Sequence, residues 1–114
     1  YKRRNGLVDD FDVPVGLYLQ SAPPRDILAR VLRNLKEIHR SQEDWPRLIA
    51  VLDRLVLLLP DDWSERRDRG LAWAEHGHPE HAVPDLEAYL AHAEDPLDAD
   101  AIGQRVRELR RELN

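Results

Sequence analysis

Hydrophobic positions recur with a helical period from Arg25 onward. Ile27, Leu28, Val31, Leu32, Leu35 and Ile38 fall at spacings of one, three and four, one apolar stripe on a helix expected over about 25–41. Leu48, Ile49, Leu52, Leu55, Val56 and Leu59 mark a second helix over about 45–59. Asp44 is its expected N-cap, because a carboxylate there accepts the unpaired first-turn N–H groups, and Pro46 is tolerated in the first turn. Pro60 ends it. Asp62-Trp63-Ser64-Glu65 reads as a capping-box variant opening a third helix, about 63–76, and Gly77 suits a left-handed C-terminal closure. A fourth helix, about 79–92, carries Ala82, Leu86, Tyr89 and Leu90. Pro84 lies beyond its first turn and predicts a kink or an irregular start. The fifth, about 98–113, presents Ile102, Val106, Leu109 and Leu113 on one face. Residues 1–24 differ, with Gly6, Val13-Pro14-Val15-Gly16 and Ala22-Pro23-Pro24 breaking any regular period. They are expected to be a mostly irregular arm or a linker from an upstream domain, in which Leu17, Tyr18 and Leu19 can form a short extended strap.

The two central helix pairs repeat. At an offset of 34, Leu32, Leu35, Lys36, His39, Trp45, Leu48, Leu52, Leu55 and Pro60 fall on Arg66, Arg69, Gly70, Trp73, Pro79, Ala82, Leu86, Tyr89 and Glu94. That period and the alternation of small and large residues are those of tetratricopeptide repeats. Gly70 and Ala82 are small where two helices should cross closely, while Trp73 and Leu86 fill the space between neighbouring pairs. Lys36 and Leu48 replace the small residues in the first unit and put close crossing there in question. Arg69, in place of Leu, leaves the apolar stripe of the third helix thin. The expected fold is therefore all-α: two tetratricopeptide-type pairs and a C-terminal capping helix over 25–114, preceded by the arm.

Four segments carry a more specific resemblance. Pro24-Arg25-Asp26-Ile27-Leu28-Ala29-Arg30-Val31-Leu32-Arg33-Asn34-Leu35-Lys36-Glu37-Ile38-His39 and Asp44-Trp45-Pro46-Arg47-Leu48-Ile49-Ala50-Val51-Leu52-Asp53-Arg54-Leu55 are two of them. Arg66-Arg67-Asp68-Arg69-Gly70-Leu71-Ala72-Trp73-Ala74 and Asp85-Leu86-Glu87-Ala88-Tyr89-Leu90 are the others. Over about residues 22–113 they resemble the C-terminal part of bacterial SirB-like proteins, which join a transglutaminase-like domain to tetratricopeptide repeats. The resemblance implies a catalytic-like domain upstream, with Cys-His thiolate chemistry. The chain itself has no Cys and carries none of that chemistry.

Composition narrows the function classes. Charged residues make up 34% of the chain and hydrophobic ones 42%, a balance suited to a solvated helical domain rather than a disordered one. The net charge of −5 argues against nucleic acid as partner, since phosphate binding needs a basic face. Lys2-Arg3-Arg4 is a short basic run. Arg105, Arg107, Arg110 and Arg111 alternate with Glu108 and Glu112, the pattern of a solvated helix face. No apolar run approaches a membrane span and no signal-peptide pattern is present, so no membrane partner and a cytoplasmic setting are expected. The absence of Met points to a piece of a longer protein.

Candidate chemistry is sparse. His76, His78 and His81 cluster at one turn, with His92 further on. The turn position and the lack of a completing ligand set favour exposed histidines over a metal site. No cofactor, no metal and no catalytic residue is expected, and the chain reads as no enzyme. What remains is the groove face of the array, formed by the first helix of each pair. Arg30, Arg33, Asn34, Glu37, Arg40, Arg67 and Leu71 are the candidate partner-binding residues. Arg30, Arg33, Asn34 and Arg67 approximate a clamp for a peptide carboxylate. The wide apolar arc of the first helix needs a cover: residues 7–21, the upstream domain, or a second copy docking through the 25–58 helices. The sequence thus points to a protein-interaction module, docking on its own upstream domain or, alternatively, acting as a free-standing adaptor for a short peptide.

Overall fold

The computed structural model describes residues 24–114. The arm, its Lys2-Arg3-Arg4 run and the strap around Tyr18 lie outside the described residues. Within them the chain is all-helical: α1 (Arg25–Ser41), α2 (Trp45–Leu58), α3 (Trp63–Glu75), α4 (Pro79–Leu90) and α5 (Pro96–Leu113). Each helix packs on the next in sequence, with α3 and α4 in the most extensive contact. No helix among the described residues is long and apolar enough to cross a membrane.

The turns show why the repeat is real. After α3, Gly77 adopts φ +81°. Its N–H donates to the Ala74 carbonyl at 3.1 Å, and the His78 N–H donates to the Trp73 carbonyl at 2.9 Å. These two bonds satisfy last-turn carbonyls that would otherwise lack donors. The same closure follows α1. Glu43 adopts φ +54°, its N–H donates to Arg40 O at 3.0 Å, and Asp44 N–H donates to His39 O at 2.9 Å. Glu43 and Gly77 stand at the repeat offset of 34. The sequence places a turn at Ser41-Gln42-Glu43-Asp44 as well, but marks a left-handed closure only at Gly77, because only that turn has glycine.

The N-termini depart from expectation in places. Asp44 caps α2 through the Arg47 N–H, as its position predicts. At α3, the Asp62 side chain makes no cap bond and instead accepts from Ser64 Oγ at 2.5 Å. Glu65 does not reach back as a capping box requires; cations of α1 draw it away. The fifth helix starts at Pro96, two residues before the expected 98, since Asp95 caps it through the Leu97 N–H at 3.0 Å and proline occupies its first turn. Pro84 causes no irregular start. The His81 and Ala82 N–H groups both donate to the His78 carbonyl, and α4 continues through Pro84. Pro84 and Glu80, whose carbonyl loses its donor, are both exposed, so water can replace that bond.

Two apolar clusters form the core. Leu32, Leu48, Ile49, Val51, Leu52, Leu55 and Ala72 make the first, and Ala82, Val83, Leu86, Tyr89, Ile102, Val106 and Leu109 the second. Trp73 packs against both, the bridging role its repeat position predicts. The close crossing also appears where expected: a Cβ on Gly70 would lie 2.8 Å from Leu86 Cγ and 3.1 Å from the Ala82 carbonyl oxygen. The apolar stripe of α3 is thin, with Glu65, Gly70 and Ala72 its buried residues. Arg69 compensates. It forks onto Asp85 at 2.7 and 2.8 Å and reaches Asp53 of α2 at 3.0 Å, tying α2, α3 and α4 together. Ile102, Val106 and Leu109 of α5 close the second cluster, while Gln104, Arg107 and Arg111 face solvent, as a terminal cap requires.

Candidate functional site

The first helices of successive units, α1 and α3, together with α5, share a polar face. Its residues form a continuous chain of ion pairs. Arg33 of α1 donates to Asp62 at 2.7 Å and to Glu65 at 3.0 Å. Lys36, one turn on, donates to Glu65 at 2.8 Å and Asp68 at 2.6 Å. Arg67 then bridges Asp68 at 3.0 Å and Asp98 of α5 at 3.1 Å, and Asp98 also accepts from the Tyr89 hydroxyl. Glu65 is buried, 2% exposed, which is affordable because two cations of α1 hold its two oxygens.

Titration follows the same geometry. Burial alone would lower the Lys36 ammonium, but Asp68 and Glu65 outweigh it and hold the pKa above its ordinary value. Burial likewise opposes, and Asp68 and Asp98 overcome, the shift of Arg67, which ends raised. The Tyr89 hydroxyl holds Asp98 below the usual carboxylate range, with Arg67 adding to the effect. The same hydrogen bond pushes the Tyr89 phenol up.

This ladder assigns new neighbours to the residues expected to bind a partner. Arg33 and Arg67 are joined to carboxylates of their own chain, so a peptide carboxylate must compete with Asp62, Glu65, Asp68 and Asp98 for them. Arg40 pairs with Glu37 one turn away, both exposed. Leu71 is half-buried and packs against the second cluster. Arg30 and Asn34 are exposed and engage no side-chain partner among the described residues. The structure therefore brings Arg33 and Arg67 onto one face but does not gather Arg30, Arg33, Asn34 and Arg67 into an open clamp. Sequence reasoning placed Asp68 on the groove face but missed Lys36 and Glu65, whose signal was the matching of α1 cations to α3 carboxylates, and Asp98, the α5 partner of Arg67.

A second surface lies on α1. Ile27 and Val31 are half-buried and Ile38 is 49% exposed. With Asn34 they fall at spacings of four, three and four, one stripe along the helix. Ala29 and Leu32 turn the other way, into the molecule.

The histidines gather around Trp73. Its ring centroid lies 4.4 Å from that of His81 and 5.4 Å from that of His78. Glu80 stands between the two, with its carboxylate 3.1 Å from His78 Nδ1 and 3.9 Å from His81 Nε2. One carboxylate therefore lies beside the two imidazoles. The hydrogen bond from His78 lowers the Glu80 carboxyl below its ordinary value.

Comparison with protein families matches residues 35–107 to the tetratricopeptide repeat. Among curated proteins, the chain is 42% identical over 72 residues to a UPF0162 protein of Xylella fastidiosa strain Temecula1, covering 63% of this chain and 26% of the relative. A UPF0162 protein of Xylella fastidiosa strain 9a5c is 40% identical over 85 residues, 75% of this chain and 30% of the relative. A UPF0162 protein of Pseudomonas aeruginosa is 29% identical over 92 residues, 81% of this chain and 34% of the relative. The chain thus spans about a quarter to a third of the length of these relatives. No solved structure matches.

Proposed function

The chain belongs to the tetratricopeptide-repeat family, and on that premise we propose that it is a protein-interaction module that docks on another domain of a longer protein of its own. The observation that supports the reading is the α1 stripe of Ile27, Val31 and Ile38, which among the described residues stays half-buried to exposed on the side of α1 away from the core. Relatives three to four times longer than the matched segment suit a module with a domain of the same protein to dock on. By the SirB-like resemblance that domain is transglutaminase-like and upstream, in a bacterial, cytoplasmic protein. Asn34 then lies within the stripe and Arg30, Glu37 and Arg40 on its polar flank, with Arg33, Arg67 and Leu71 further along the groove face. A homodimer through α1 and α2 uses the same surface.

The second reading is a free-standing adaptor that takes a short peptide in the groove, favoured by the arginines of α1 and α3. It suffers from the ladder, whose carboxylates already occupy Arg33 and Arg67. Sedimentation of this chain with the remainder of its longer protein, supplied as a separate polypeptide, discriminates the readings. A one-to-one complex supports docking. Self-association alone supports the dimer, and no complex with either, together with binding to a peptide array, supports the adaptor.

A further inference from the structure

We propose that His78, Glu80 and His81 form a surface site for a divalent cation of the zinc, nickel and copper group. The three ligand atoms lie within 4.8 Å of one another. Two imidazoles and one carboxylate are a donor set of intermediate softness, suited to such cations and not to magnesium. Metal–ligand bonds near 2.0–2.2 Å require the three atoms to close by roughly 1–1.5 Å. Small rotations of these side chains supply that, since His81 and Glu80 are exposed and His78 is half-buried.

The fold prepares the site from both sides. The Gly77 turn fixes the backbone entering His78, which is the N-cap of α4, and His81 follows one helical turn later on the same face. Behind them, Trp73 of α3 restricts both imidazoles, edge-on to His78 and tilted against His81. Glu80 already hydrogen-bonds His78, so one ligand–ligand contact exists before a cation arrives. Three protein ligands leave the outward position to water. The His76 ring, 5.1 Å from that of His78, stands at the rim.

The test is titration of Zn²⁺ into the chelator-stripped chain, followed by calorimetry and by NMR of the histidine rings. One equivalent is expected to bind, with the ring signals of His78 and His81 shifting together and those of His39 and His92 unmoved. His78→Ala and His81→Ala should each weaken binding at least about tenfold, and Glu80→Gln should weaken it in the same direction. His92→Ala should leave it unchanged. Mg²⁺ should not bind. Absent or non-stoichiometric binding, unchanged affinity in the His78→Ala/His81→Ala double variant, or ring shifts confined to His39 or His92 would overturn the proposal.

Discussion

Glu43 and Gly77 occupy equivalent turns with unequal ease. A non-glycine residue at φ +54° bears the Cβ clash of the left-handed region, about 1 kcal/mol. Glu43→Gly is therefore expected to raise stability by roughly 0.5–1 kcal/mol in urea unfolding, a gain partly offset by the greater freedom of an unfolded glycine. Gly70 behaves oppositely. Any side chain there meets Leu86, which is fully buried, and the Ala82 backbone. Gly70→Ala should cost about 1–3 kcal/mol, because the α3–α4 crossing must open to admit one methyl group. Lys36 shows what the first unit does at the same repeat position. Its chain leaves the helix crossing and runs to Glu65 and Asp68, so a long residue replaces a glycine without filling the space between helices.

At the scale of elements, α1, α3 and α5 are linked by ion pairs. Glu65 is the point where this is least replaceable. Glu65→Gln leaves Lys36 and Arg33 facing a neutral amide in a buried setting and should cost about 2–4 kcal/mol. Glu37→Ala breaks only an exposed pair and should change stability by less than about 0.5 kcal/mol. The α3–α5 link responds to pH. Asp98 has its folded-state pKa lowered, so its contribution is complete above the unfolded value of about 3.9 and is lost as pH falls through the lower folded value. Thermal melts should thus show an acid limb below about pH 4 that Asp98→Asn flattens. Lys36 and Tyr89 have raised pKa values, so their contributions persist to about pH 10 and decline at more alkaline pH. The helices themselves were legible in the sequence, because Leu and Ile spacing, Pro60 and Gly77 act locally. The ladder was not, because its partners stand about thirty residues apart, as Arg33 and Glu65 do, and a charge on a helix face looks solvated until its neighbour is placed. For the same reason Glu65, which has capping-box spacing, was assigned a local role that a long-range one displaced.

As a whole molecule, the described residues form two helical pairs followed by α5. At the C-terminal end α5 covers the second cluster and exposes Gln104, Arg107 and Arg111, with Leu97 and Leu113 also exposed near its ends. The α1 end keeps Ile27, Val31 and Ile38 partly exposed, the surface proposed for docking. The apolar arc of the first helix was readable in the sequence, and its need for a cover is the expectation on which the docking proposal rests. The idea of an open arginine clamp was also drawn from sequence, and the geometry weakens it by pairing Arg33 and Arg67 internally. The central claim is that this stripe holds a partner domain. Titration calorimetry between the chain and the remainder of its longer protein tests it most directly, using Val31→Asp and Ile38→Asp beside the unaltered chain. An unpaired charge placed in an apolar interface should weaken binding at least about tenfold, with helical circular dichroism unchanged. Equal affinity in all three proteins, or no binding by the unaltered chain, would contradict the account.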